Sequence, residues 1–112
     1  MITQAVIDKL YKEQRGGCAW CGRLFTHQNL MQIHHAIYTR DVKFAKYLDM
    51  SENLVILCSL CHTNNHGEMS SWFMRCHWWT MKIELGYPME EWHESIPMVI
   101  KDNFLDLSRD GE

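Results

Sequence analysis

Residues 53–62 read NLVILCSLCH, and this stretch combines an apolar run with a pair of cysteines. Its first part, Asn53–Cys58, is apolar and rich in β-branched residues, which predicts a buried strand. The strand runs directly into a Cys-x-x-Cys motif that ends at Cys61. We expect a short helix to begin at Cys61 or His62, so the stretch predicts a strand, a cysteine knuckle and a helix in immediate succession.

A second knuckle lies upstream at Cys18 and Cys21, separated from Cys58 and Cys61 by 36 residues. Four thiolates in two such pairs can form the tetrahedron that zinc prefers in closed structural sites. Buried or redox-active cysteines are the alternative, but a single redox pair would not explain two equal knuckles. Cys76 is left over, and packing in the core is the better interpretation of it.

The N-terminal stretch 1–14 contains Asp8, Lys9, Lys12 and Glu13 and has no uninterrupted apolar run. We therefore expect neither a signal peptide nor a membrane span, and a reducing, cytoplasmic location. In that setting the knuckle cysteines are expected to be thiols available to a metal.

Other elements follow from apolar periodicity and from Gly and Pro positions. A first helix of about three turns is expected near the N-terminus, with Gly16 and Gly17 ending it. Further elements are an extended segment, two helices and a last helical piece that opens at Pro97. The extended segment is placed at Leu30–Ile37. The two helices are placed at Phe44–Leu48 and from Ser70 or Ser71 to about Leu85.

Between the knuckles lie His34-His35 and, at the start of the second strand, Asn53. Together with the two Cys-x-x-Cys pairs and His62, these residues resemble the HNH nuclease family with paired zinc knuckles, over about residues 14–67. The resemblance implies an α+β fold with a zinc-stapled ββα-metal core and an N-terminal helix. Residues 68–112 would be a C-terminal helical extension with an acidic end, and 1–112 a single domain.

The resemblance also implies roles for individual residues. His34 and His62 would bind a catalytic divalent cation, His35 would be the general base, and Asn53 would brace the loop that carries the histidines. His66, one helical turn after His62, is a further candidate ligand. Mg²⁺ or Mn²⁺ is the favoured cation, with Zn²⁺ and Ni²⁺ as alternatives. The substrate would be DNA, cleaved to 5′-phosphate and 3′-hydroxyl ends.

Histidine suits this chemistry because a neutral imidazole titrates near physiological pH and can take a proton from water. Neighbouring residues on an ideal strand, however, point to opposite faces. We therefore expect the strand to end or bend at His34-His35, so that one ring meets the helix and the other the substrate.

Two rival functions remain open: a non-catalytic zinc-knuckle module that binds nucleic acid or protein, and a zinc-dependent hydrolase with another substrate. Homing, restriction and phage DNA processing are all open as biological roles, as is the choice between monomer and homodimer. For His27, His77 and His93 we favour ordinary surface or core positions. We also favour core packing for the aromatic group Trp72, Phe73, Trp78 and Trp79.

Net charge is −3, but it is unevenly distributed. Residues 1–82 hold nine Lys and Arg against six Asp and Glu, whereas residues 83–112 hold two against eight. The basic excess is a weak indication of phosphate contact. The candidates for such contact are Lys9, Lys12, Arg15, Arg23, Arg40, Lys43 and Lys46.

Overall fold

A computed structural model describes residues 2–37, 42–65 and 72–98. In these ranges the regular elements, in chain order, are α1 (Gln4–Glu13), β1 (Met31–His35), α2 (Ala45–Leu48), β2 (Leu54–Cys58), α3 (Ser59–Asn65), α4 (Trp72–Glu84) and α5 (Met89–Ser95). Short 3-10 turns precede α2 and β2. None of the helices in these ranges is both long enough and apolar enough to cross a bilayer.

The sheet consists of β1 and β2, paired antiparallel. Every residue of β2 is buried, because the strand is covered on both faces. Leu54 and Ile56 pack against Leu10 of α1, whereas Val55 and Leu57 belong to a larger core on the other face. The continuous apolar run of β2 is therefore the central layer between two cores.

Helix α1 lies against β2 and also completes its hydrogen bonding. Thr3 caps the helix by accepting a bond from the amide of Val6, and Gly16 follows the helix with a φ of +71°. The side-chain amide of Gln14 donates to the carbonyl of Ile56 at 2.8 Å and accepts from its N–H at 2.9 Å. Gln14 thus binds the outward-facing N–H and carbonyl of Ile56, and the N–H of Ala19 donates to the same carbonyl at 3.0 Å.

The C-terminal helices pack onto the same core through tryptophan. Trp78 of α4 is completely buried, and its indole N–H donates to the carbonyl of Glu52, just before β2, at 2.8 Å. Its ring meets Trp92 of α5 edge to face, with centroids 5.9 Å apart. The predicted core position of Trp78 is confirmed. Trp79 is half-buried, and the side chains of Trp72 and Phe73 lie outside the described residues.

The structure differs from the predicted elements in one helix start, one strand length and one helix that was not predicted. Helix α3 begins at Ser59 rather than at Cys61 or His62, because the knuckle itself forms the first helical turn. Helix α5 was not predicted: Pro88 ends the preceding segment and is also the N-cap of α5, a position that proline tolerates because the N-terminus of a helix has unpaired N–H groups in any case. The strand predicted over 30–37 is shorter, Met31–His35.

A buried lysine joins α4 to α1. Lys82 is 1% exposed, and its ammonium lies 4.6 Å from the ring centroid of Tyr87, with Lys9 at 4.7 Å from the same centroid. The hydroxyl of Tyr87 donates to a carboxylate oxygen of Glu13 at 2.6 Å. Burial lowers the pKa of Lys82 to about 8, although the charges of Glu13 and Glu52 act in the opposite direction.

This burial predicts a pH dependence of stability. Between about pH 8 and the ordinary lysine pKa of 10.5, the folded chain has released the Lys82 proton that the unfolded chain still holds, so stability rises with pH. Lys82→Met should increase the free energy of unfolding at pH 7, and this gain should shrink by up to about 3 kcal/mol by pH 10. Chemical denaturation at both pH values measures the difference. The exposed Lys12→Met is the control, and equal pH dependence in both variants would contradict the prediction.

Candidate metal centre and active site

The four knuckle cysteines converge on one point. The sulfur atoms of Cys18, Cys21, Cys58 and Cys61 all lie within 4.8 Å of one another, and those of Cys21 and Cys58 are 3.8 Å apart. Four sulfurs bound to zinc at about 2.3 Å in a tetrahedron would be about 3.8 Å from each other. The four cysteines are therefore positioned to bind a structural metal, and their donor set and spacing fit zinc.

The first knuckle is a tight hairpin. Cys18 donates its N–H to the carbonyl of Arg23 at 2.9 Å, and Gly22 donates to the carbonyl of Cys18 at 3.0 Å. Gly22 has a φ of +78°, which a glycine adopts without steric cost. The amide of Trp20 points at the sulfur of Cys18 at 3.4 Å. As expected for a zinc knuckle, the turn directs a backbone amide toward a ligand sulfur.

The second knuckle begins where β2 becomes α3, and here the amide of Cys61 points at the sulfur of Cys58 at 3.4 Å. Burial alone raises the pKa of Cys18, but backbone hydrogen bonds from Cys21, Cys58 and Trp20 outweigh it and lower the pKa to about 7. Burial and the neighbouring thiols Cys58 and Cys21 raise the pKa of Cys61. One thiolate therefore forms readily, and a bound cation would compensate the charge of the others.

A histidine of β1 lies next to a histidine of α3. His34 is buried, and its ring centroid is 5.4 Å from that of His62, with the rings nearly perpendicular. His34 pairs with Val55 in the sheet and therefore leaves the strand on the same face as Val55. Helix α3 packs against this part of the sheet. The fold thus brings together two of the residues singled out as cation ligands.

His35 is the last residue of β1 and pairs with Leu54, so it leaves the opposite face. Its Nε2 lies 2.7 Å from a carboxylate oxygen of Asp49, and the two side chains are 25% and 19% exposed. Burial alone would raise the pKa of Asp49, but hydrogen bonds and nearby positive charge, those of His35 among them, together hold the pKa below its usual range. Asp49 is therefore ionised at neutral pH.

Asn53 is completely buried between these elements. Its side-chain oxygen accepts from the N–H of Ile37 at 2.8 Å. Its side-chain NH₂ donates to the carbonyls of Ile37 and Leu48, each at 2.9 Å. One amide thus ties the chain just after His35 to the end of α2.

Sequence reasoning singled out most of these residues but missed two. His34, His35, Asn53 and His62 lie around the sheet and α3 as described above, and His66 lies outside the described residues. The contacts of Asp49 and Gln14 were not foreseen, because no motif or periodicity marks a residue that acts across 14 or 42 positions. His77, assigned an ordinary position, donates to the carbonyl of Ala19 in the first knuckle at 2.8 Å.

The family model described as HNH endonuclease matches residues 18–68. The match begins at the first knuckle and includes both strands and α3, so the resemblance stated from the sequence is confirmed over this segment. No curated protein and no solved structure gives a significant match to the chain. The fold is α+β with a cysteine cluster suited to zinc, consistent with the HNH fold, and the family match implies a nuclease-type function on nucleic acid.

The cysteine cluster predicts that metal binding and folding are coupled. Cys58→Ser should remove the bound metal and abolish the cooperative thermal transition, because this sulfur joins β2 to both knuckles. Cys76→Ser is the matched control, since Cys76 lies outside the cluster. Metal analysis of the purified proteins, with circular dichroism melting curves, measures both effects. A Cys58→Ser variant that keeps its metal and melts like the parent chain would contradict the prediction.

Proposed function

We propose that this chain is a metal-dependent endonuclease that hydrolyses DNA phosphodiester bonds. In this proposal His34 and His62 hold a divalent cation, His35 is the general base, and Asn53 keeps the base and the ligands in register. The cysteine cluster has a structural role. DNA, rather than RNA, is the substrate class that the HNH resemblance implies.

The observation that carries the proposal is the approach of His34 and His62. Two imidazoles that bind one ion through nitrogen at about 2.1 Å place their centroids about 5 Å apart. The observed 5.4 Å is close to this value, and the rings come from two different elements. A divalent cation held here supplies a Lewis acid for the negative charge that grows on the phosphate oxygens. His66, which lies outside the described residues, is the candidate third ligand.

His35 is suited to take a proton from the attacking water. It is one residue from His34 and at the end of β1, so its backbone is fixed by the sheet while its side chain stays partly exposed. An imidazole has the right proton affinity for this task near neutral pH. The partial exposure of His35 leaves it accessible to water.

Basic side chains near the site support a polyanionic substrate. Lys43 and Lys46 are exposed on the short helical segment that leads to Asp49. Lysines in such positions contact backbone phosphates and orient a duplex without reading its sequence. These contacts would place a phosphodiester beside His35.

The role of His35 predicts a catalytic defect without a structural one. With supercoiled plasmid and Mg²⁺ or Mn²⁺, His35→Ala should nick about 10²- to 10⁴-fold more slowly than the parent chain. Its metal content and melting curve should be unchanged. His27→Ala, at an exposed histidine, is the control and should cleave normally. Equal nicking by His35→Ala and the parent would exclude His35 as the base, and no cleavage by the parent chain would favour a non-catalytic zinc module.

The two metal sites should be separable by mutation. His62→Ala should weaken Mn²⁺ binding by at least about 10- to 100-fold, because removing a residue that merely hydrogen-bonds a metal ligand already causes a loss of this size. The cysteine-bound metal should remain. Mn²⁺ titration followed by calorimetry, together with zinc analysis, measures both sites in one preparation. Undiminished Mn²⁺ affinity in His62→Ala would remove His62 from the ligand set.

A further inference from the structure

The side chains of Asp49 and His35 are close enough to form a strong hydrogen bond. The Nε2–carboxylate distance of 2.7 Å is that of a charge-assisted hydrogen bond. Both side chains are largely shielded, so the bond is not an ordinary exposed ion pair. A carboxylate can only accept, so the nitrogen that faces it must carry a proton.

Hydrogen bonds to the backbone of Asp49 and of the preceding residue fix the position of Asp49. It is the C-cap residue of α2, and its N–H donates to the carbonyl of Ala45 at 2.8 Å. The preceding carbonyl, of Leu48, accepts a hydrogen bond from Asn53 at 2.9 Å. The same Asn53 amide binds both backbone groups of Ile37, two residues after His35. The carboxylate and the imidazole are therefore attached to one buried amide through short stretches of backbone.

We propose that Asp49 is the positioning residue of His35, and that Asn53 acts on the reaction by holding this pair together. Asp49 keeps the His35 proton on Nε2, so that Nδ1 has the lone pair that accepts the water proton. In the reaction the water oxygen forms a bond to phosphorus as its proton passes to Nδ1. The bond from phosphorus to the leaving oxygen breaks, and that oxygen keeps the electron pair. The carboxylate stabilises the imidazolium that results.

This inference rests on the proposed function, and it predicts an effect on catalysis that a purely structural contact would not have. A purely structural contact between these side chains would contribute only to the stability of the fold. Its loss would leave the rate of the chemical step unchanged. A positioning role instead requires that removing the carboxylate alters both the tautomer of His35 and kcat.

The decisive variant is Asp49→Asn, which keeps the shape of the side chain but allows it to donate as well as accept. We expect kcat for plasmid nicking to fall about 10- to 100-fold with KM changed less than about 2-fold, within the total that a general base supplies. Asp49→Glu should restore part of kcat. Asp8→Asn, at an exposed carboxylate on α1, is the matched control and should leave kcat unchanged.

A spectroscopic measurement makes the inference independent of cleavage. Nitrogen-15 NMR of the zinc-bound chain should show His35 protonated on Nε2 at a pH where the ring is neutral, and Asp49→Asn should give a mixture of tautomers. If the parent chain cleaves nothing but the tautomer shifts as expected, the proposed function fails and the Asp49–His35 relation stands. A parent His35 protonated on Nδ1, an unchanged tautomer in Asp49→Asn, or an unchanged kcat in an active enzyme would overturn the inference.

Discussion

The convergence of four sulfur atoms within 4.8 Å is the constraint on which the remaining structure depends. A two-stranded sheet alone is marginal in water, and in the described part of the segment between the knuckles the regular structure is limited to the two strands, α2 and two 3-10 turns. Joining Cys21 to Cys58 closes this long segment at its base and fixes where α3 leaves β2. Helix α3 begins where β2 ends and packs against both strands of the sheet. The histidine of α3 therefore lies next to the histidine of β1.

A second constraint lies at the opposite end of β2, where the sheet has no cysteine to hold it. There Asn53 satisfies three backbone groups, two on Ile37 and one on Leu48, with a single buried amide. Hydrogen bonds in such a shielded place are costly to leave unmade, so they hold the loop after β1 against α2. One end of the sheet thus adjoins the cysteine cluster and the other is held by the Asn53 amide, and the candidate site lies between the two.

The helical extension contributes to the site indirectly. Trp78 is anchored to the carbonyl of Glu52, one residue before Asn53, and His77 of the same helix is bonded to the first knuckle at Ala19. Helix α4 therefore contacts the first knuckle and the turn before β2, although the match to the HNH model ends at residue 68. Trp78 of α4 and Trp92 of α5 are both buried in the larger core, so the two C-terminal helices pack directly on it.

The sequence alone determined the features that depend on spacing. The two Cys-x-x-Cys pairs, the apolar run of β2 and the order of histidines and asparagine identified the fold class and the family segment, because metal ligands and strand periodicity are local patterns. The partner of His35 and the bond from Gln14 to Ile56 were decided only by the tertiary structure. Each depends on where distant backbone segments come to lie after the cores on both sides of β2 have formed. No local pattern specifies such long-range placement, and this is why Asp49 was missing from the residues singled out by motif.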